Sequence, residues 1–140
     1  MDAKGRLRLP AALLRQMGNH AQVLTVNRGF EKHLMIYPKE VWDRKTKEIN
    51  QLNIYKKQHR QVIRYFYRGA TELHLDKADR VLLPKSLLEY ADVQGEVVLF
   101  AYQDQIEVWS KKHYEAMTAD EPEDFSSIAD SVFGDETSDL

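Results

Sequence analysis

Residues 2–14 read DAKGRLRLPAALL, and residues 76–88 read DKADRVLLPKSLL. At an offset of 74 residues the two segments share an aspartate, an arginine, a proline and three leucines: Asp2, Arg6, Leu9, Pro10, Leu13 and Leu14 match Asp76, Arg80, Leu83, Pro84, Leu87 and Leu88. The same offset places QVLTV (22–26) on EVVLF (96–100), and a further shift of two residues places LMIYPKEVW (34–42) on IEVWSKKHY (106–114). The chain therefore contains two copies of one structural unit.

Each copy opens with a turn and a short strand. The aspartate is expected to accept backbone N–H groups of its own turn. The fourth position suits a left-handed backbone, which glycine and aspartate tolerate, and it is Gly5 in the first copy and Asp79 in the second. Alternating apolar residues such as Leu7 and Leu9 predict a short strand after the turn.

A helix and two strands complete each copy. Pro10 and Pro84 are predicted to end the short strand and to serve as the first residue of a helix. We expect this helix to end near Gly18 in the first copy and between Asp92 and Gly95 in the second. Two runs rich in branched and aromatic residues follow, HLMIYP after QVLTVNRG and QIEVW after EVVLFAYQ, and they predict paired strands joined by a tight turn.

The remaining segments are predicted to be helical or disordered. Residues 39–68 are amphipathic, with a break near Asn53 and a helix C-cap at Gly69. The predicted apolar stripe consists of Val41, Trp42, Ile49, Leu52, Ile54, Val62, Ile63 and Phe66. The tail carries Phe125, Ile128, Val132 and Phe133 at near-helical spacing, which fits either a short docked helix or disorder.

The composition excludes several classes of protein. A chain of 140 residues is long enough for one compact domain, or for two small halves that share a core. The absence of cysteine excludes disulfide scaffolds, cysteine-based zinc sites, iron–sulfur clusters and thiol nucleophiles, and it suits a reducing cytoplasm. No apolar run is long enough for a membrane span and no leader resembles a signal peptide, so no membrane partner is expected.

The net charge of −2 hides an uneven distribution of charge along the chain. Residues 118–140 contain no basic residue and eight acidic ones, namely Asp120, Glu121, Glu123, Asp124, Asp130, Asp135, Glu136 and Asp139. The first 117 residues carry 20 basic and 14 acidic groups, so the body has a charge of +6 and the tail −8. A basic body suits an anionic partner such as nucleic acid, and a solubilising tail on an ordinary surface is the alternative.

No pattern typical of catalysis is present. The five histidines have no metal-ligand spacing, the six glycines are scattered, and neither HExxH nor GxSxG occurs. The sequence therefore predicts no enzyme, with no catalytic residue, metal site, cofactor or small-molecule substrate. An aspartic hydrolase that pairs Asp2 with Asp76 is a remote alternative. Neither aspartate is followed by the hydroxyl residue and glycine of such enzymes, and the neighbouring lysines favour two ionised carboxylates.

Nucleic-acid binding fits the basic residues of the duplicated loops. These are Lys4, Arg6, Arg8 and Arg15 in the first copy and Lys77, Arg80 and Lys85 in the second. Such loops position phosphates, and an arginine fork can read the O6 and N7 atoms of guanine. Each arginine can also pair with the aspartate of its own turn, and the two interpretations are compatible. A second basic strip, Lys56, Lys57, Arg60, Arg64 and Arg68, is better explained as a solvated helix face.

The duplicated DxxxR motif is followed each time by a short apolar strand and a proline, and strands such as LMIYP and IEVWS close the copies. Over residues 1–117 this pattern resembles the bacterial MraZ family. The resemblance implies an α+β fold of tandem AbrB-like swapped-hairpin elements that form a small β-barrel with flanking helices. It further implies a cytoplasmic, nucleoid-associated transcriptional regulator that binds double-stranded DNA upstream of the division and cell-wall gene cluster, its own promoter included. Ring-shaped homo-oligomers of this family engage short G-rich direct repeats.

The resemblance also implies which residues contact DNA. The family's contact loop falls on Lys4, Gly5 and Arg6, and its second copy falls on Lys77 to Arg80. The predicted DNA-binding residues are therefore Lys4, Gly5, Arg6, Arg8, Lys77 and Arg80, with structural roles for Asp2, Pro10, Asp76 and Pro84. Asp79 stands where the family usually has glycine, and its charge should weaken phosphate attraction by the second loop. The first copy begins at Met1-Asp2, without the strand that ELHL (72–75) supplies in the second copy.

The expected organisation is a first AbrB-like repeat at residues 1–43, linking helices at 44–69, a second repeat at 70–117 and an acidic tail at 118–140. The function that these observations favour is sequence-specific DNA binding by a non-enzymatic transcription regulator. The alternative is an antitoxin-like interaction module that binds DNA and also a protein partner through its tail.

Overall fold

Seven strands and six helices are assigned in the computed structural model, which describes residues 1–17, 23–119 and 125–138, the last four of them by backbone alone. The strands are β1 (Arg6–Arg8), β2 (Val23–Arg28), β3 (Leu34–Pro38), β4 (Thr71–His74), β5 (Arg80–Leu82), β6 (Val97–Tyr102) and β7 (Gln105–Ser110). The helices are α1 (Ala11–Gln16), α2 (Lys39–Asn50), α3 (Lys57–Tyr67), α4 (Lys85–Tyr90), α5 (Lys111–Ala119) and α6 (Phe125–Ser138).

The strands form two antiparallel sheets. The larger sheet has five strands in the order β4-β2-β3-β7-β6, and the smaller one pairs β1 with β5. Together with the helices they make an α+β fold, as predicted. The expected closed barrel is not found among the described residues, because β4 and β6 are the two ends of an open sheet and β1 and β5 pair only with each other.

The pairing register is symmetric with respect to the two repeats. The opposed residues are Arg6–Leu82, Leu7–Val81 and Arg8–Arg80 in the smaller sheet, and Leu34–Val108, Met35–Glu107 and Ile36–Ile106 between β3 and β7. Exchanging the repeats, by 74 residues in the first set and 72 in the second, converts each set of pairs into itself. The repeats are therefore related by a pseudo-two-fold axis, and both offsets found in the sequence are present in the structure.

One strand of the second repeat completes the sheet of the first. β4 precedes the second loop in the chain, yet it pairs with β2, where Leu73 lies opposite Leu24. β6 is the equivalent of β2, but no described strand covers its outer edge. A groove of about 690 Å³ lies there instead, lined by Met1, Leu7 and residues 97–99 among others. We call it the β6-edge groove.

The main core lies between one face of the larger sheet and the elements β1, β5 and α4. Its fully buried side chains include Leu9, Leu24, Leu34, Ile36, Leu87 and Ile106. Side chains alternate along a strand, so Leu34 and Ile36 of β3 join this core, whereas Met35 and Tyr37 form a second cluster with Val41. The centre of the sheet is thus covered on both faces.

The two prolines precede their helices by one residue. Pro10 and Pro84 have extended ψ angles of 141° and 139°, so each occupies the N-cap and not the predicted first helical position. The carbonyl of Pro10 accepts hydrogen bonds from the amides of Leu13 and Leu14, and Pro84 does the same for its helix. The second helix ends at Tyr90, before Asp92, as expected. The end predicted near Gly18 lies outside the described residues.

The linking segment folds as two helices. Residues 51–56 separate α2 from α3, and the side-chain carbonyl of Asn53 accepts the amide of Tyr55 at 3.0 Å, so the predicted break is confirmed. Gly69 follows α3 with φ +77°, as its predicted role requires. The predicted apolar stripe is correct for buried Val41 and Phe66 but wrong for Ile54, which is 61% exposed because it lies in the segment between the helices.

The tail contains a helix whose apolar side chains are not buried. Phe125, Ile128, Val132 and Phe133 of α6 are all exposed, Phe125 by 70%. The predicted helical spacing is therefore correct, but these side chains do not dock on the body. Of the eight acidic residues, only Asp130 has a described side chain, and Asp120, Glu121, Glu123, Asp124 and Asp139 lie outside the described residues. No helix in the described ranges is long and apolar enough to cross a membrane.

Candidate nucleic-acid interface

The aspartate of each duplicated loop clamps the arginine four residues later. Asp2 Oδ1 accepts the amides of Lys4 and Arg6 at 3.0 and 2.9 Å, and Asp2 Oδ2 accepts Arg6 Nε at 2.7 Å. Asp76 repeats this arrangement, with the amides of Ala78 and Arg80 at 2.8 and 2.9 Å and Arg80 Nε at 2.9 Å. The turn thus forms as the DxxxR motif predicts, and it fixes the guanidinium at its Nε edge.

The left-handed residues of the two loops bring the loops together. Gly5 and Asp79 have φ angles of +84° and +59°, as expected for the fourth position of the motif. Their carbonyls accept hydrogen bonds from the opposite repeat: Gly5 from the amide of Leu83 at 3.0 Å, and Asp79 from that of Leu9 at 2.9 Å. The loops therefore lie side by side across the β1–β5 ladder.

Asp2 also contacts the arginine of the second loop. Arg80 Nη1 lies 3.9 Å from Asp2 Oδ2, whereas no contact of this kind joins Asp76 to Arg6 among the described residues. The side chains of Arg6 and Arg80 are each 34% exposed. In the described part of the chain, no ion pair or hydrogen bond occupies the terminal nitrogens of Arg6. Its guanidinium is held at one edge and open at the other.

The other candidates surround this pair of arginines. Lys4 and Lys77 are exposed within the two turns, and Arg8 is exposed on β1 opposite Arg80. Pro10 and Pro84 end the strands that carry the loops. The structure therefore places all predicted DNA-binding residues on one paired-loop surface, which we define as Lys4, Gly5, Arg6, Arg8, Lys77 and Arg80. The second basic strip lies elsewhere, on α3, where Arg60 donates to the carbonyl of Ile54 at 2.9 Å.

The aspartates of this surface are acids stronger than usual. The pKa of the Asp2 carboxyl is lowered chiefly by the hydrogen bond from the Arg6 amide, and that of Asp76 by the equivalent bond from the Arg80 amide. Both carboxylates are therefore ionised at neutral pH. An aspartic hydrolase needs one of its two carboxyls to hold a proton, so this electrostatic setting disfavours that alternative.

Sequence reasoning missed the contacts between the loops. The repeat shows that the two loops are equivalent, but equivalence alone does not place them next to each other. The only signal was the complementary spacing of the Gly5 and Leu9 positions with Asp79 and Leu83, and it becomes readable once β1 is known to pair with β5.

Comparisons with known proteins agree with the two-repeat architecture. A family model described as "MraZ protein, putative antitoxin-like" matches residues 1–65 and again residues 66–135. Three similar proteins, each named "Transcriptional regulator MraZ", come from Christiangramia forsetii, Halothermothrix orenii and Leuconostoc mesenteroides. They are 36%, 35% and 34% identical to this chain over 97%, 92% and 94% of its length, and the alignments cover 89%, 88% and 90% of those proteins.

The matches extend over both loops and the helices that join them. A duplicated family model on a chain with two pseudo-symmetric repeats, together with relatives above 30% identity across nearly the whole length, leaves one conclusion. The chain belongs to the MraZ family.

Proposed function

We propose that this protein is a transcription regulator that binds double-stranded DNA through the paired-loop surface. The observation that carries the proposal is the position of Arg6 and Arg80, clamped at Nε in adjacent loops of one exposed surface. The names of the relatives support the same function. Arginine held in a fixed orientation is suited to bidentate contacts with guanine or phosphate.

The residues of the surface divide into positioning and reading roles. Lys4, Arg8 and Lys77 supply positive charge without a described ion pair, so we assign them to phosphate contacts. Arg6 is assigned to base reading, because Gly5 lets the backbone approach closely and the terminal nitrogens of Arg6 are open. Asp79 adds a negative charge directly before Arg80, which makes the second loop the weaker of the two.

The finer features of the proposal follow from the family. We assign the chain to the promoter of the division and cell-wall gene cluster, with short G-rich direct repeats as sites. A ring-shaped homo-oligomer, a cytoplasmic location at the nucleoid and swapped-hairpin repeats at residues 1–43 and 70–117 complete it. The linking helices at 44–69 and the acidic tail at 118–140 lie outside the contact surface in this proposal.

The direct test compares single substitutions in the two loops. Arg6→Ala should weaken specific binding by about 1–3 kcal/mol per site if the arginine reads a guanine, and Arg80→Ala should weaken it less. Arg64→Ala, in the α3 strip, is the matched control and should bind as the parent does. DNA affinity and thermal melting are measured side by side for all three variants.

Two outcomes of this comparison would contradict the proposal. If Arg6→Ala and Arg80→Ala stay folded and bind DNA as the parent does, the paired-loop surface is not the contact surface. If Arg64→Ala loses binding instead, the contact surface is the α3 strip.

A second candidate function is an antitoxin-like module that binds a protein through its tail. The exposed apolar side chains of α6 and the wording of the family description favour it. Deleting residues 120–140 leaves α5 complete and separates the two candidates. A regulator keeps all its activities toward DNA, whereas an antitoxin-like module loses a protein partner that the full chain retains.

A further inference from the structure

The larger sheet has a polar cavity on the face that points away from the main core. Ile106 and Val108 of β7 belong to that core, so the intervening Glu107 lies on the other face, opposite Met35 of β3. Helices α2 and α3 pack over this face, and a cavity of about 440 Å³ lies between them and the strands. This volume falls in the range of small-molecule sites.

A mostly buried carboxylate without a cationic partner lines this cavity. The Glu107 side chain is 16% exposed, and its Oε1 accepts the indole N–H of Trp109 at 2.7 Å. The nearest basic group is His33, whose Nε2 lies 3.9 Å away. Burial lowers the pKa of His33, so this imidazole is mainly neutral at pH 7. A carboxylate removed from water and left without a countercharge is costly, and a bound cation would offset that cost.

Aromatic rings form much of the remaining wall. Tyr37, Tyr65, Phe66 and Tyr102 all line the cavity, and the face of such a ring attracts a cation. Gln103 and Gln105 add amide groups at the β6–β7 turn. Rings combined with a buried carboxylate are the setting in which proteins bind organic ammonium groups.

The other charged groups of the lining do not reverse this preference. Three carboxylates, Glu31, Glu48 and Glu107, face two cations, Arg28 and Lys45. The Arg28 guanidinium lies 4.4 Å from the centre of the Tyr90 ring and is engaged there. Lys45 lies on α2 one turn from Glu48, at the helix side of the cavity. The net charge of the lining is therefore negative, and Glu107 is its strand-side member.

We propose that this cavity binds a small organic cation, a primary ammonium on a flat apolar body, with the ammonium against Glu107. The site is separate from the paired-loop surface, shares no residue with it, and does not depend on the proposed DNA binding. No counterpart exists in the other repeat, because the positions equivalent to His33 and Glu107 at the 72-residue offset are Gln105 and Met35.

The test uses three ligands of similar shape and different charge on the full chain. They are 2-phenylethylammonium, 2-phenylethanol and 3-phenylpropionate, and the readout is the NMR shift of the Trp109 indole N–H, which donates to Glu107. We expect saturable binding of the ammonium and at least about tenfold weaker binding of the alcohol and the carboxylate. Equal binding of the alcohol, or no binding of the ammonium, would overturn the proposal without any variant.

Glu107→Gln supplies the residue-level test. Glutamine keeps an acceptor for Trp109 and the same size, and should weaken the ammonium about tenfold while the melting temperature stays close to that of the parent. Glu115→Gln, on an exposed part of α5 outside the cavity, is the matched control and should bind like the parent. A folded Glu107→Gln that binds the ammonium normally would show that Glu107 is not the anchor; if the variant does not fold, the three-ligand comparison decides.

Discussion

Asp2 connects the two arginines at the residue scale. Its Oδ2 accepts Arg6 Nε at 2.7 Å and lies 3.9 Å from Arg80 Nη1, whereas Asp76 contacts the arginine of its own loop alone within the described residues. The two aspartates are equivalent in the sequence but not in the structure. Asp2 therefore holds the side chains of the paired-loop surface in a common arrangement.

Replacing Asp2 should have a larger effect than the same replacement in the second loop. We expect Asp2→Asn to lower the melting temperature at pH 7 and to weaken DNA binding more than Asp76→Asn does, because only Asp2 serves both arginines. Asparagine keeps an acceptor for the amides of the turn, so the comparison isolates the charge. Equal effects of the two variants would show that the contact from Arg80 to Asp2 is unimportant.

The difference from the parent should also depend on pH. Folding lowers the pKa of both carboxyls below the ordinary value of 3.8, so the unfolded chain binds these protons more readily. The stability that they contribute is complete above that value and is lost as the pH falls through the lower folded pKa. Melting curves of parent and Asp2→Asn should therefore converge below about pH 4; a gap that is independent of pH would contradict this assignment.

Local features of the loops were predictable from sequence, and contacts between loops were not. The turn geometry depends on residues within a five-residue segment, so the DxxxR motif and the Gly5 and Asp79 positions sufficed to predict it. The cross-contact from Arg80 to Asp2 depends on the register of β1 with β5, and no local pattern contains that register.

At the scale of elements, the unequal edges of the larger sheet stand out. β2 is covered by β4, whose Leu73 is buried opposite Leu24, whereas the equivalent β6 faces the β6-edge groove. An uncovered strand edge is a site where further strands pair. The groove therefore has the position and the backbone groups that an additional antiparallel strand needs.

Supplying such a strand should stabilise the protein. A variant with Thr-Glu-Leu-His added ahead of Met1 copies β4, and its leucine would be buried beside β6 as Leu73 is beside β2. Burying a leucine contributes about 1.5–3 kcal/mol, enough to raise the melting temperature by several degrees and to reduce aggregation. The control is Thr-Glu-Asp-His, which should give no gain; an equal gain from both would show that the groove does not take the strand.

The order of the strands was harder to predict than their positions. Apolar runs located β2, β3, β6 and β7 to within a few residues, because each run carries its own pattern. The pairing of β4 with β2 joins segments from different repeats, and only the assembled sheet reveals it. The expected barrel failed for a related reason, since closure depends on long-range pairing at β4 and β6.

For the molecule as a whole, the separation of charge is the main feature. The body carries +6 and the tail −8, and the apolar side chains of α6 are not packed on the body. A tail of this charge competes with DNA for the basic surface, within a range of about 8 Å at physiological salt. The cavity at Glu107 was invisible in the sequence, because its walls come from α2, α3, β3 and β7.

Removing the tail should strengthen binding to non-specific DNA. We expect deletion of residues 120–140 to tighten it most at low salt, where charges are least screened. A chain of full length with the eight acids replaced by their amides is the control and should behave like the deletion. Affinity measured across a fourfold range of salt checks both; unchanged affinity at low salt would mean that the tail does not reach the surface.

The pseudo-two-fold axis between the repeats also constrains the grammar of any operator. A rotation of this kind reverses direction, so the two loops of one chain run opposite ways along a duplex laid across them. One chain alone is thus matched to an inverted pair of half-sites, and even that match is imperfect because Gly5 is opposed by Asp79. Sites repeated head to tail require the stronger loop of each of several chains, all facing the same way. The spacing of such sites would then measure the distance between neighbouring subunits.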